Sequence, residues 1–516
     1  MLMRGGSRNI RSRFAVSFAA NVLRSFLNFF TGLVVARSLG PGHYGDLIFL
    51  IGSFEAIRQA LAMGTESAFF TFISRRERGS GFLIAYVGWQ LLQLALTLLI
   101  VGLLLPVKWF DAIWLGHDRS VVLLACVAVF FQSQAWQTAQ QIGEASRLTI
   151  RVQAIGITVA AAHFAIVAVS AWAGALGIRF LLCLLVAEYA VALLAAWHLL
   201  RPRETAERSR IVHGNLRDWI GEFVAYCAPL LLYSLGSFLY EFSNKWLLQR
   251  YGGGEQQGLF AVASQFSAAC LLAATSMVRI LWKEAAELHH NGDDSKLRRL
   301  YESASRMLYG FGAVMGGLLW PWSSTIAVLA LGEHYREAWL PLAIMLLYPT
   351  HQSLGQVMQT LFLATGNTVT YFLVGISFMA VSIPVTYLVL APATADVPGL
   401  GLGAVGMALK TLLLNALFVN IYIWRLCRAQ RWRMAVGYQF AVLGWSAALG
   451  GVAYWIAARS PLAGSLPMVA QMAICCVTYG VLQLVFLVRF PGLFGISAEV
   501  AGSVRVRAAN VFKSIR

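Results

Sequence analysis

Apolar residues occur along this chain in blocks of about 20 or more, the length a helix needs to cross the hydrocarbon of a bilayer. Short charged or glycine- and proline-containing breaks separate the blocks. The pattern predicts fourteen spans, at residues 14–37, 44–73, 81–105, 119–143, 149–173, 179–200, 219–249, 257–282, 302–322, 339–364, 368–390, 401–424, 434–457 and 467–488. They divide the chain into a six-helix lobe at 1–200, a basic linker at 201–218, a second six-helix lobe at 219–426, and two further spans with a basic tail at 427–516. The ten-residue alternation of a membrane β-barrel is not seen. The expected class is therefore an all-α polytopic membrane protein.

Two passages half a chain apart echo each other. "VVARSLGPGHYGDLIFL" and "WLLQRYGGGEQQGLFAV" each end a long helix, turn through glycines and restart apolar, pairing Gly40 with Gly252 and, after a one-residue slip, Gly45 with Gly258. A weaker echo sets "QQIGEASRLTI" against "FLATGNTVTYF", with Gly143 opposite Gly366. Internal repeats of this kind build many transporters, with the substrate site at the repeat interface. Spans 1 and 7 run the same way, so the repeats would be parallel.

Composition narrows the class further. The chain is 59% hydrophobic and 12% charged, which no soluble domain requires. Its net charge of +17 would suggest nucleic acid in a soluble protein, but topology accounts for it. With the N-terminus inside, and span ends counted with the side they adjoin, 27 of the 40 Lys and Arg residues are cytoplasmic, seven lie at external ends and loops, and six lie deeper within spans. That excess places both termini in the cytoplasm, and nucleic acid is not an expected partner. The run Arg4, Arg8, Arg11, Arg13 precedes a stretch too long for a signal peptide and interrupted by Arg24, so it reads as an uncleaved first helix. The seven cysteines form no disulfide framework, no Cys/His spacing suits a metal, and no phosphate-binding loop appears, so no cofactor is expected.

The six basic residues inside spans carry the candidate chemistry. A cation at bilayer depth costs about 2.5–3.5 kcal/mol, so it is a functional hypothesis by default. Arg24, Arg58, Lys245 and Arg279 lie in spans 1, 2, 7 and 8; Arg306 and Lys410 are discounted, the first as a helix end. Ser17, Asn21, Arg24, Asn28 and Thr31 share one helical face of span 1. Span 2 presents Glu55, Arg58, Gln59 and Glu66, and span 7 presents Tyr226, Tyr233, Ser237, Glu241, Asn244 and Lys245, below a bend expected at Pro229. Glu55 with Arg58 and Glu241 with Lys245 have the spacing of local ion pairs. Glu188 in span 6 has no evident local partner, and His163 and His351 read as core residues. The substrate-binding candidates are Arg24, Arg58, Lys245, Arg279, Asn21, Asn28, Gln59, Tyr233 and Asn244. The ion-coupling candidates are Glu55, Glu66, Glu241 and Glu188.

The stretch "NVLRSFLNFFTGLVVARSLGPGHYGDLIFL", Asn21 to Leu50, resembles the opening of the polysaccharide transporter (O-antigen flippase) branch of the multidrug/oligosaccharidyl-lipid/polysaccharide (MOP) exporter superfamily. Its core is "ARSLGPGHYG", Ala36 to Gly45. The resemblance implies two six-helix bundles in a V around a cavity lined by spans 1, 2, 7 and 8. It also implies movement of a polyprenyl-diphosphate-linked oligosaccharide across a bacterial inner membrane, with membrane lipids and a polysaccharide polymerase as partners. Arginine suits such a cargo, because its planar fork binds phosphate oxygens in pairs and stays charged. Three alternatives stand beside this reading: a flippase for the peptidoglycan lipid precursor, an ion-coupled multidrug exporter, and a membrane polymerase or ligase. Against an enzyme, the longest predicted external loop, 323–338, is short and no catalytic motif appears.

Overall fold

The computed structural model describes residues 3–76, 78–199, 215–459 and 467–495, with the side chains of 3–15, 273–277, 279–280 and 459 excepted. The helices run α1 (Met3–Ala62), α2 (Thr65–Arg75), α3 (Ser80–Leu99), α4 (Val107–Trp114), α5 (Arg119–Val129), α6 (Trp136–Ala145), α7 (Thr149–Trp172), α8 (Ile178–Leu199), α9 (Leu216–Cys227), α10 (Leu231–His290), α11 (Asp294–Leu319), α12 (Ser323–Leu331), α13 (Trp339–Met345), α14 (Tyr348–Ala364), α15 (Thr368–Leu390), α16 (Gly403–Ala429), α17 (Gly437–Arg459) and α18 (Met468–Arg489). Eleven described stretches are long and apolar enough to cross a membrane. Two of these, Val16–Ala62 and Leu216–Leu272, bend at a glycine and each hold two predicted spans; α14, with 17 residues, accounts for the fourteenth.

Both bends come from a single residue. Gly40 has φ 72° and Gly253 has φ 69°, each with an extended ψ that only glycine adopts easily. This corrects the expected pairing of Gly40 with Gly252: the equivalent residue is Gly253, and Gly45 then matches Gly258 with no slip. The weaker echo shifts as well. The left-handed residue that ends α6 is Arg147, φ 61°, and its counterpart after α14 is Gly366, φ 71°, so Gly366 answers Arg147 and not Gly143. Span 2 is interrupted at Met63 and Gly64, both left-handed (φ 48° and 84°), and span 7 breaks at the Ala228–Leu230 turn that contains Pro229. The predicted loop 323–338 is helical, formed by α12 and a 3-10 turn over Glu333–Ala338.

The chain forms two compact units, Met1–Gly258 with Ser382–Gly403, and Leu259–Val381 with Ala404–Arg516. Their boundary falls at Gly258, not in the 201–218 linker, of which residues 201–214 lie outside the described residues. In the first unit the two bends touch backbone to backbone. A side-chain carbon on Gly45 would run into the Gly254 carbonyl, one on Gly258 into that of Pro41, and one on Gly254 into that of Gly42. Small residues permit such approach between membrane helices, and span 7 groups with spans 1 and 2. In the second unit α11 lies against α14 and α17 around Tyr301, Leu308, Tyr309, Leu361 and Phe362. Gly317 and Gly450 bring α11 and α17 into backbone contact, and Tyr479 of α18 donates to the Val314 carbonyl at 2.9 Å. All seven cysteines are free.

Candidate functional site

Most of the sequence candidates lie in the first unit, where the run of α1 after Gly40 packs antiparallel on α10. The contacts descend in order: Asp46 with Gln249, Gly52 with Lys245, and Gln59 with Ser237. At Gly52 an added side-chain carbon would overlap Cδ and Cε of Lys245, so the glycine leaves that lysine its present position.

Arg58 is the centre of this seam. Its Nε donates to Glu55 Oε2 at 3.0 Å and its Nη1 to Glu66 Oε1, so one guanidinium binds two carboxylates. Glu66 reaches it because the break at Met63 and Gly64 starts α2 afresh and turns that carboxylate back. Glu55 Oε1 also accepts from the Ser133 hydroxyl, carried by a π-helical segment, Phe130–Ala135, between α5 and α6. Such segments often sit at functional sites. Beside Arg58 lies a cavity of about 30 Å³, bordered by Gln93 and Gln134, with room for a single water. Gln134 donates to Gln93 at 2.8 Å, and Gln93 to the Leu61 carbonyl at 2.7 Å, fixing the end of α1.

The predicted ion pair of Glu241 and Lys245 is present at 2.9 Å. Gln59 accepts from Ser237 at 3.2 Å, which links the two charged stretches. Asn244, by contrast, is buried and accepts from Thr386 of α15 at 2.8 Å. Along this seam two cations, Arg58 and Lys245, meet three carboxylates.

Arg24 differs. It donates to the neutral Asn21 carbonyl oxygen at 2.8 Å, lies against Gly156 of α7, and among the described residues makes no ion pair. Asn28 is exposed and Tyr233 half-buried. Arg279 is helical in α10, but its side chain lies outside the described residues.

Glu188 has the partner that the sequence did not reveal. His163 Nδ1 lies 2.7 Å from its Oε2, joining α7 to α8, while Oε1 is buried with no partner among the described residues. His163 is thus one half of a half-buried histidine–carboxylate pair. His351 is 3.4 Å from the Tyr309 hydroxyl. Sequence reasoning also missed Ser133, Gln93 and Gln134, although the polar run "FFQSQAWQTAQQ" inside span 4 is a signal that could have found Ser133 and Gln134.

No protein family matches this sequence, and no curated protein does. Solved structures do match in fold. A lipid II flippase, MurJ, in an inward closed conformation is 14% identical, with a TM-score of 0.69 over 91% of this chain and 98% of that one. An inward-facing MATE multidrug resistance transporter of the MOP superfamily is 15% identical, with a TM-score of 0.58 over 79% and 95%. A MOP transporter from Pyrococcus furiosus, described as having a binding pocket of reverse polarity, is 15% identical, with a TM-score of 0.51 over 82% and 96%. The chain is a multi-pass membrane protein with the fold of the MOP superfamily.

Proposed function

We propose that this chain is a flippase that carries a polyprenyl-diphosphate-linked oligosaccharide from the cytoplasmic to the outer leaflet by alternating access, with Arg24 as the first anchor of the diphosphate. The observation that carries the proposal is the contrast in partners. Arg58 and Lys245 are paired with carboxylates, whereas Arg24 is held by neutral Asn21 and so keeps its charge for an anion. Arginine binds phosphate through two parallel hydrogen bonds, and these are stronger where water is scarce.

The seam then has a role in the cycle. A diphosphate that reaches Arg58 competes with Glu55 and Glu66, and protonation of either carboxylate releases the guanidinium to it. Glu241 stands in the same relation to Lys245. These carboxylates, with the Glu188 and His163 pair, are the proposed ion-coupling groups, and Arg279 is proposed as a secondary cargo contact. Both termini are placed in the cytoplasm of a bacterial inner membrane, with a polysaccharide polymerase as the receiving partner. No catalytic step is assigned to the chain.

A second reading, a flippase for the peptidoglycan lipid precursor, is favoured by one observation. The lipid II flippase covers 91% of this chain and the MATE transporter 79%. That breadth supports a lipid-linked cargo over a drug.

The test has two parts. Arg24→Ala should abolish export while the protein remains in the membrane; normal surface polysaccharide in that variant would falsify the anchor. In a deletion strain the stalled lipid-linked intermediate should accumulate, and its mass identifies the sugar. A surface-polysaccharide unit supports the first reading, and a peptide-bearing disaccharide the second.

A further inference from the structure

The break at Met63 and Gly64 borders a second feature of the first unit. Between α3 and α9 runs a groove of about 630 Å³, roughly four times the ~150 Å³ cavity that takes up a benzene ring. Trp89 and Leu92 of α3 and Ile220 and Val224 of α9 line it, together with Phe82 and Phe223, which stack at 5.9 Å. Its lining on α3 runs from Phe82 to Leu92, about 15 Å of helix and so roughly half of the hydrocarbon thickness. The groove therefore follows one leaflet along the axis of a spanning helix, as an acyl chain does.

Cations gather at one end. Arg75 and Arg76 close α2 and are exposed. Arg78 is different, with a side chain only 7% exposed. Its guanidinium lies 5.0 Å from the Phe82 ring centre and donates through Nη2 to Glu222 Oε2 of α9 at 2.6 Å. Its Nε is buried with no acceptor among the described residues. Buried donors are almost always satisfied, so an orphaned one implies a missing acceptor. Arg217 and Asp218 in the first turn of α9 add one charge of each sign.

We propose that this groove binds an anionic phospholipid of the leaflet that borders Arg75, Arg76 and Arg78, which the excess of positive charge inside makes the expected cytoplasmic one. One acyl chain lies between α3 and α9, and a phosphate oxygen accepts from Arg78 Nε with Arg75 and Arg76 beside it. The phospholipid is taken as the occupant because the lining covers about 15 Å, the depth of one leaflet, which a single acyl chain fills. The site is independent of what the protein carries. Its occupant would hold α9, the helix that follows the linker, against α3.

The experiment uses the full chain purified in detergent, incubated with phosphatidylglycerol or phosphatidylcholine of the same acyl chains and read by native mass spectrometry. One phosphatidylglycerol should be retained in preference to phosphatidylcholine. Ala85→Trp, which fills the groove, should lower retention about tenfold or more. Gly88→Phe does the same from a position where an added side-chain carbon meets nothing within 4 Å, so it remains informative if the first variant fails to fold. Arg78→Gln, and the exposed pair Arg75→Gln with Arg76→Gln, should erase the headgroup preference while a lipid is still retained. Undiminished retention in both groove-filling variants, or equal retention of the two lipids by the unmodified chain, overturns the site. Displacement of phosphatidylglycerol by an equal concentration of polyprenyl phosphate overturns the choice of occupant.

Discussion

Asp46 Oδ1 accepts a hydrogen bond from Gln249 Nε2 at 2.7 Å, and between that bond and the bends the two helices touch through bare backbone. A contact of this kind depends on the absence of side chains. Gly258→Ala should therefore force the bends apart, at the cost of about 1–3 kcal/mol usual for overpacking, read as a lower melting temperature in detergent. Gly42→Ala is the control, since an added carbon there meets nothing within 4 Å. Equal melting temperatures for the two variants would refute the close contact.

The same bond has a titrating neighbour outside the spans. His117 Nε2 lies 3.4 Å from Asp46 Oδ1, with His43 also acting on that carboxylate and Arg250 bordering the site. The hydrogen bond to Asp46 raises the His117 pKa, burial opposes it, and the Trp114 carbonyl, 2.5 Å from Nδ1, adds to the rise. A raised folded pKa gives stability that is complete below the unfolded value of about 6.5 and lost as pH climbs through the folded one. The melting temperature should fall as the pH is raised above about 6.5, and His117→Gln should flatten that slope.

Arg58 offers a test of the seam itself. Arg58→Ala strands Glu55 and Glu66 together and should destabilise by about 3 kcal/mol, the lower end for breaking a buried ion pair. Adding Glu66→Gln removes one stranded charge and should recover part of the loss. A thermal double-mutant cycle measures the coupling, and strictly additive effects would argue against the pairing.

The end of α6 gives a prediction of opposite sign. Arg147 holds a left-handed backbone conformation where its counterpart after α14 is Gly366. Left-handed geometry costs an ordinary residue about 1–2 kcal/mol, partly offset in Arg147→Gly by the freer unfolded chain. The variant should melt a few degrees higher, and Gly366→Ala lower.

The membrane class, the span pattern and the local ion pairs of Glu55 with Arg58 and Glu241 with Lys245 were legible because each depends on spacing within one helix. Three things were not. The pairing of Gly40 with Gly253 depends on which of three adjacent glycines takes the left-handed conformation, and composition cannot choose among Gly252, Gly253 and Gly254. Glu66 reaches Arg58 only because Met63 adopts a conformation that bulky residues avoid. His163 and Glu188 belong to different helices, and no periodicity joins them. The bond from Thr386 to Asn244 likewise joins two helices, and the polar stripe that holds Asn244 gave no sign of that partner.

The backbone seam between the two bends has an evolutionary consequence. Carbonyl groups and glycine α-carbons carry almost no sequence identity, so a seam built from them can persist while nearly every surrounding side chain drifts. What must be kept is a handful of positions where nothing larger than hydrogen fits, and a chain can keep those and share little else with its structural kin.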